Sequence, residues 1–161
     1  MAKVATNTFE FDLPDTWKIE TLQNPASIRG PGGELLMINS AVISGGKTDE
    51  DQQAVKDALQ QNAEDSMQNA ANDERLQTTK PLTNHTTNEG RLFAEMHCQT
   101  TDKTAWFSEF SIAGPATLVF VTVEGNAGTE SAIDVVSNAV KNITWLQSPA
   151  ASERKPFWKF W

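Results

Sequence analysis

Two histidines and one cysteine are all the imidazole and thiol chemistry this chain possesses. His85, His97 and Cys98 are therefore the candidates for a soft metal site or a thiolate nucleophile. Their spacing matches none of the recurring zinc patterns. His97 and Cys98 are adjacent, so a strand sends them to opposite sides. Cys98 continues an apolar alternation with Leu92, Ala94 and Met96, which reads as packing, whereas a cysteine nucleophile needs a base beside it. The expectation is a solvated histidine, a buried core cysteine and no metal or other cofactor.

Glu95 and Glu109 fall on two neighbouring strand-like segments. If they met across a sheet, each would shift the other's pKa, and the pair could serve the acid–base chemistry of a hydrolase. Cross-strand neighbours that include Arg91 or Lys103 are the competing reading, and it leaves no catalytic residue.

Gly45-Gly46-Lys47-Thr48 stands between an apolar strand and a helix, as a phosphate loop does. A full loop has glycine at the first of its eight positions, where this chain has Ala41. Asp49, Glu50 and Asp51 follow, and their charge repels phosphate from the helix terminus that would attract it. A glycine turn into a capped helix is the expectation.

The elements that position these residues show in the periodicity. Phe9, Phe11 and Leu13 alternate, and after the Pro14-Asp15 turn a second alternating segment covers Trp17 to Leu22. Gly30-Pro31-Gly32-Gly33 predicts a tight reversal, and Glu34 to Ile43 a strand too continuously apolar for a surface. Thr48 with three acidic residues after it predicts a helix start. Val55, Leu59, Ala63, Met67 and Ala70 then form a narrow apolar stripe on a polar helix. Leu76–Thr87 reads as an edge strand containing Pro81. Arg91–Gln99, Thr104–Ile112 and Thr117–Glu124 are strands joined by links too short for anything but antiparallel hairpins. Within the middle one, Trp106, Ser108, Phe110 and Ile112 share one side, and Phe107, Glu109 and Ser111 the other. Thr129 opens a second helix carrying Ile133, Val136, Val140 and Ile143. This order predicts an α+β layered sandwich with a central antiparallel sheet, one acidic helix after the N-terminal strands and one C-terminal helix.

Length and charge bound the function. A chain of 161 residues is one domain's worth and can bury roughly two thirds of its unfolded surface. No stretch is apolar enough to span a bilayer, and Met1 to Asn7 has no apolar run after Lys3, so the expectation is a cytoplasmic protein. On that footing the acceptor patterns Asn84-His85-Thr86 and Asn142-Ile143-Thr144 are coincidences. The lone cysteine fits a reducing compartment. A net charge of −8 argues against a nucleic-acid partner. The charge is uneven: residues 49–75 hold eight carboxylates against Lys56 and Arg75, while Glu153 to Trp161 holds Arg154, Lys155 and Lys159 against one carboxylate.

That C-terminal stretch, beyond a linker beginning at Gln147, ends in Phe157, Trp158, Phe160 and Trp161. Each aromatic can bury roughly 150–250 Å². Three readings compete: the tail folds back on its own sheet, anchors a protein partner, or lies on a membrane surface with its lysines at the headgroups.

The opening Phe9, Phe11, Leu13, Pro14 and Trp17 resembles the start of PsbP-like domains, a superfamily with Ran-binding Mog-type and bacterial DcrB-like branches. The later helix, the meander with Gly90 before its apolar strand, and the ending Ile143-Thr144-Trp145 extend the likeness over roughly residues 7–146. The resemblance implies an α/β/α sandwich used as a binding scaffold without catalytic residues, and bacterial members similar to this chain include adaptors and immunity proteins for secreted, type VI-like toxins. It divides the chain into a domain at 1–146 and a linker with aromatic-basic tail at 147–161. The expected partner is another protein, a basic toxin being the leading form, met by Phe157, Trp158, Phe160 and Trp161 and by Asp49, Glu50, Asp51 and Asp57. The alternative is a carrier of a small apolar or lipid-like molecule, in a pocket lined by Trp17, Met96, Trp106 and Phe110.

Overall fold

The computed structural model describes residues 1–146. The chain runs β1 (Ala2–Ala5), β2 (Phe9–Leu13), β3 (Lys18–Thr21), β4 (Ala26–Arg29), β5 (Leu35–Val42), α1 (Asp49–Asn72), β6 (Leu76–Thr86), β7 (Leu92–Thr100), β8 (Ala105–Ala113), β9 (Thr117–Asn126), α2 (Ser131–Lys141) and β10 (Thr144–Trp145). Seven strands form one antiparallel sheet in the order β3-β4-β5-β9-β8-β7-β6. The predicted meander supplies β9, β8 and β7, and β6 beside it is an edge strand as Pro81 suggested. β5 pairs on both sides, with β4 and β9, but only one side chain row is enclosed: Leu36 and Ile38 are buried, whereas Val42 and Ile43 are exposed, so the strand is less enclosed than its apolar run predicts.

Each face of this sheet is covered, so the layers are those of the expected α/β/α sandwich. α1 buries Val55, Leu59 and Ala63 against Ala94, Ala113 and Leu118. Ala70 continues onto Met96 and Cys98. On the other face α2 contributes Ala132, Val136, Ala139 and Val140 to a larger core with Phe93, Trp106, Phe110, Val121 and Val123. That layer also contains a small sheet, β1-β2-β10, which the sequence reading missed. Phe9, Phe11 and Leu13 reach the core from it, on one side as their alternation demands.

Local chemistry sets the helix ends. The Thr48 hydroxyl accepts the Asp51 N–H at 3.0 Å while Asp51 accepts the Thr48 N–H at 3.2 Å, a reciprocal cap. Met67 departs from the predicted stripe and is 41% exposed. Four-residue steps outrun a 3.6-residue turn by about 40° each, so by Met67 the stripe has rotated off the sheet. Ser66 takes the inward position instead, and Ala70 restores contact. α2 starts at Ser131 and not at Thr129, because the Thr129 hydroxyl is used elsewhere: it donates to the Asn126 carbonyl at 2.7 Å and receives the buried Trp106 indole N–H at 3.0 Å.

Candidate functional site

The polar side chains gather most densely between β6, β7 and α2. β7 sends Phe93, Glu95 and His97 toward α2, and Glu95 is the charged one, with a side chain only 5% exposed. On β6, Lys80 and His85 are five residues apart, so a regular strand would put them on opposite faces. A register irregularity between Lys80 and Thr83 removes that offset. As a result the Lys80 ammonium pairs with Glu95 Oε1, and His85 Nε2 lies 3.1 Å from the same oxygen. From β7 itself, His97 Nε2 lies 3.7 Å from Oε2, and the Ser137 hydroxyl of α2 donates to Oε2 at 3.4 Å.

Electrostatics in this cluster is internally balanced. Burial pushes the Glu95 carboxyl up, but the hydrogen bond and charge of Lys80, with the charges of Lys141 and His97, outweigh it and hold the group below the usual carboxylate value. Burial likewise pulls His97 below the usual imidazole value, against the opposing attraction of Glu95. The expected solvated histidine is therefore only half right. His85 is partly exposed yet bonded to Glu95, and His97 is mostly buried.

Ser108 completes the sequence hydroxyl, imidazole, carboxylate, its Oγ 2.8 Å from His97 Nδ1. Hydrolases use that order, with the hydroxyl open to substrate. Ser108 is 0% exposed and packed within the sheet–helix layer, so it has no reach to a substrate. Among the described residues no three histidine, cysteine or acidic side chains are arranged to hold a metal. The arrangement is that of a neutralised buried charge.

Three expectations are corrected by register. Glu95 pairs with Phe110 and Glu109 with Met96, so the two carboxylates face opposite sides of the sheet and never meet. Nor are Arg91 and Lys103 their partners: Glu95 is held by Lys80, and Glu109 receives the Ser66 hydroxyl of α1 at 2.5 Å. Burial pushes the Glu109 carboxyl above the usual value. Third, Trp17, Trp106 and Phe110 belong to the α2-side core while Met96 packs under α1, so these four line no common pocket. Cys98 lies among Ala70, Met96 and Phe107, where burial raises its thiol and keeps it from acting as a thiolate.

The glycine turn before α1 is closed to anions from within. Asp51 accepts the N–H groups of Lys47 at 3.0 Å and Thr48 at 3.2 Å, occupying the amides a phosphate would need. Those two bonds lower its pKa. Asp49, Glu50 and Asp57 are exposed on the helix, Asp57 receiving Gln53 at 2.8 Å. Phe157, Trp158, Phe160 and Trp161 lie outside the described residues.

A groove of about 530 Å³ opens on the α1 face, beyond the C-terminal end of that helix. Arg29, Leu35, Glu124 and Phe107 stand side by side across four strands and line it, with Asp73 and Arg75 at the helix end. Sequence reasoning missed this site. Only pairing register aligns the four, and no spacing along the chain encodes it.

No family profile and no curated protein sequence matches the chain. Solved structures do resemble it. The cyanobacterial PsbP (CyanoP) of Synechocystis sp. PCC 6803 superposes with a TM-score of 0.56 at 11% identity, over 90% of this chain and 92% of that one. LpqN of Mycobacterium tuberculosis, described as involved in cell envelope biogenesis, gives 0.52 at 11% identity, over 86% and 83%. The fold is PsbP-like.

Proposed function

We propose that this protein is a non-catalytic binding module that captures a basic protein partner, and that it serves as an immunity protein or adaptor for a secreted toxin. One observation carries the reading: the titratable groups that converge inside the fold are spent on one another, whereas acidic groups of α1 remain at the surface. Lys80, His85 and His97 surround Glu95, while Asp49, Glu50 and Asp57 face solvent. An exposed acidic helix on a chain of net charge −8 steers basic partners into encounter and raises the association rate. The PsbP-like fold is consistent with a scaffold role, and the toxin-associated branch is the finer part of the proposal. Phe157, Trp158, Phe160 and Trp161 supply a second anchor on the same partner, and the protein acts in the cytoplasm.

Copurification of the tagged full chain from its own host, at about 50 mM and 500 mM salt, tests this. A stoichiometric basic protein retained at low salt and weakened at high salt is the expected result. Recovery of no stoichiometric protein at either salt overturns it. Flotation with anionic vesicles addresses the tail separately, since binding abolished by substituting the four aromatics would assign them to a membrane surface.

A further inference from the structure

The row Arg29, Leu35, Glu124, Phe107 contains one unmatched charge. Arg29 Nε is 3.2 Å from Glu20 Oε1, and its Nη1 donates to the Gly33 carbonyl at 3.4 Å. Arg75 grips Asp73 through Nε at 3.0 Å and Nη2 at 2.8 Å. Both guanidiniums of the groove are thus already neutralised by local carboxylates. Glu124 is exposed, and among the described residues no cation lies within ion-pair distance of it. Its neighbours in the row are apolar, Leu35 on β5 and Phe107 on β8.

We infer that Glu124 and Phe107 form a receptor for a lysine or arginine side chain of the protein partner. Directly paired residues place their side chains about 4.5–5.5 Å apart, so a cation bonded to Glu124 also lies within reach of the Phe107 ring. Leu35 supplies an apolar wall for the methylene stem. The occupant is assigned from the charge of the row: Glu124 is its one carboxylate without a cation among the described residues, and its two strand neighbours, Leu35 and Phe107, suit a basic side chain of the partner.

This inference rests on the reading of a basic protein partner, and its test is separable from that reading. The full chain is titrated with N-acetyl-lysine amide and N-acetyl-arginine amide while its backbone amides are followed by NMR. Saturable shifts confined to Leu35, Phe107 and Glu124 are expected, with affinity falling about fivefold in Glu124→Gln and in part in Phe107→Leu. Equal binding by Glu124→Gln, equal shifts from N-acetyl-glutamine amide, or shifts spread along residues 49–57 overturn it. So does a Glu124 amide that moves when Arg154, Lys155 and Lys159 are replaced by Gln, which makes the tail the occupant. A copurified partner that Glu124→Gln still captures undiminished removes this site but keeps the binding-module reading. Cation binding at Glu124 with no partner recovered does the reverse.

Discussion

Glu95 and Glu109 sit on adjacent strands and point away from each other, because the register pairs Glu95 with Phe110 and Met96 with Glu109. Each is a buried or half-buried carboxylate, and they solve the problem of burial differently. Glu95 has the Lys80 ammonium and two imidazoles around it, whereas among the described residues Glu109 has one neutral donor, Ser66. Their pKa values accordingly move in opposite directions, Glu95 down and Glu109 up.

The raised carboxyl of Glu109 means that the folded state binds its proton more tightly than the unfolded chain does. Its stabilising contribution is therefore fully present below the unfolded value of 4.5 and is lost as pH rises through the folded value. Glu109→Gln keeps an acceptor for Ser66 and removes the charge. It is expected to gain about 1 kcal/mol at pH 7.5 and nothing near pH 4. Urea midpoints at the two pH values check this, and an equal gain at both would show that charge burial is not the cause.

Removing Lys80 leaves Glu95 buried with only imidazole and hydroxyl partners. Lys80→Met is expected to cost about 1–3 kcal/mol at pH 7, less than for a fully buried pair because the lysine is partly exposed. The depressed pKa of Glu95 gives stability that is present above its unfolded value and lost as pH falls through the folded one. Without the ammonium, burial drives the Glu95 carboxyl up, so the variant's deficit is largest near neutral pH and shrinks in acid as the carboxyl takes up its proton. Adding Glu95→Gln to Lys80→Met is expected to recover most of the loss. A double-mutant cycle with no coupling between the two positions contradicts the assignment.

His97 contributes a slope of its own near neutrality. Its folded pKa is depressed by burial, so the unfolded chain binds the proton more readily. Stability consequently falls as pH drops from above 6.5 toward the folded value. His97→Gln retains a polar partner for Ser108 and is expected to flatten this slope, leaving the Glu109 slope at lower pH intact. Thermal melts between pH 5.5 and 7.5 on parent and variant measure the difference.

How far the sequence carried depended on the range of the interaction involved. Val55, Leu59 and Ala63 on α1, and the alternation over Ala105 to Phe110 on β8, are set by neighbours three or four or two residues away, and their burial follows the pattern, whereas Phe93 to Met96 on β7 are buried on both faces. β1 offers only Val4 as an inward residue, and β10 has two residues, so neither carries a periodic signal; both exist because β2 pairs with them. The Glu95 cluster and the groove lay out of reach for a different reason. Lys80, His85 and His97 converge only through the irregular register of β6 on β7, and Glu124 meets Phe107 only through that of β8 on β9.

The acidic residues at the start of α1 separate into two kinds, which substitution can tell apart. Asp51 accepts two loop amides and completes the cap with Thr48. Asp51→Ala leaves those donors and the first turn unsatisfied, so it is expected to cost about 1–2 kcal/mol. Asp49, Glu50 and Asp57 are exposed, and among the described residues Asp57 has no partner beyond the Gln53 amide. Replacing these three by Asn, Gln and Asn is expected to move stability by no more than about 0.5–1 kcal/mol, the part that is lost being the dipole interaction of Asp49 and Glu50 with the helix start. Urea unfolding of both variants side by side is the measurement. Carboxylates that stability does not require are the ones free to serve a partner, so a large destabilisation from the triple replacement would assign the acidic face to the fold and withdraw it from recognition.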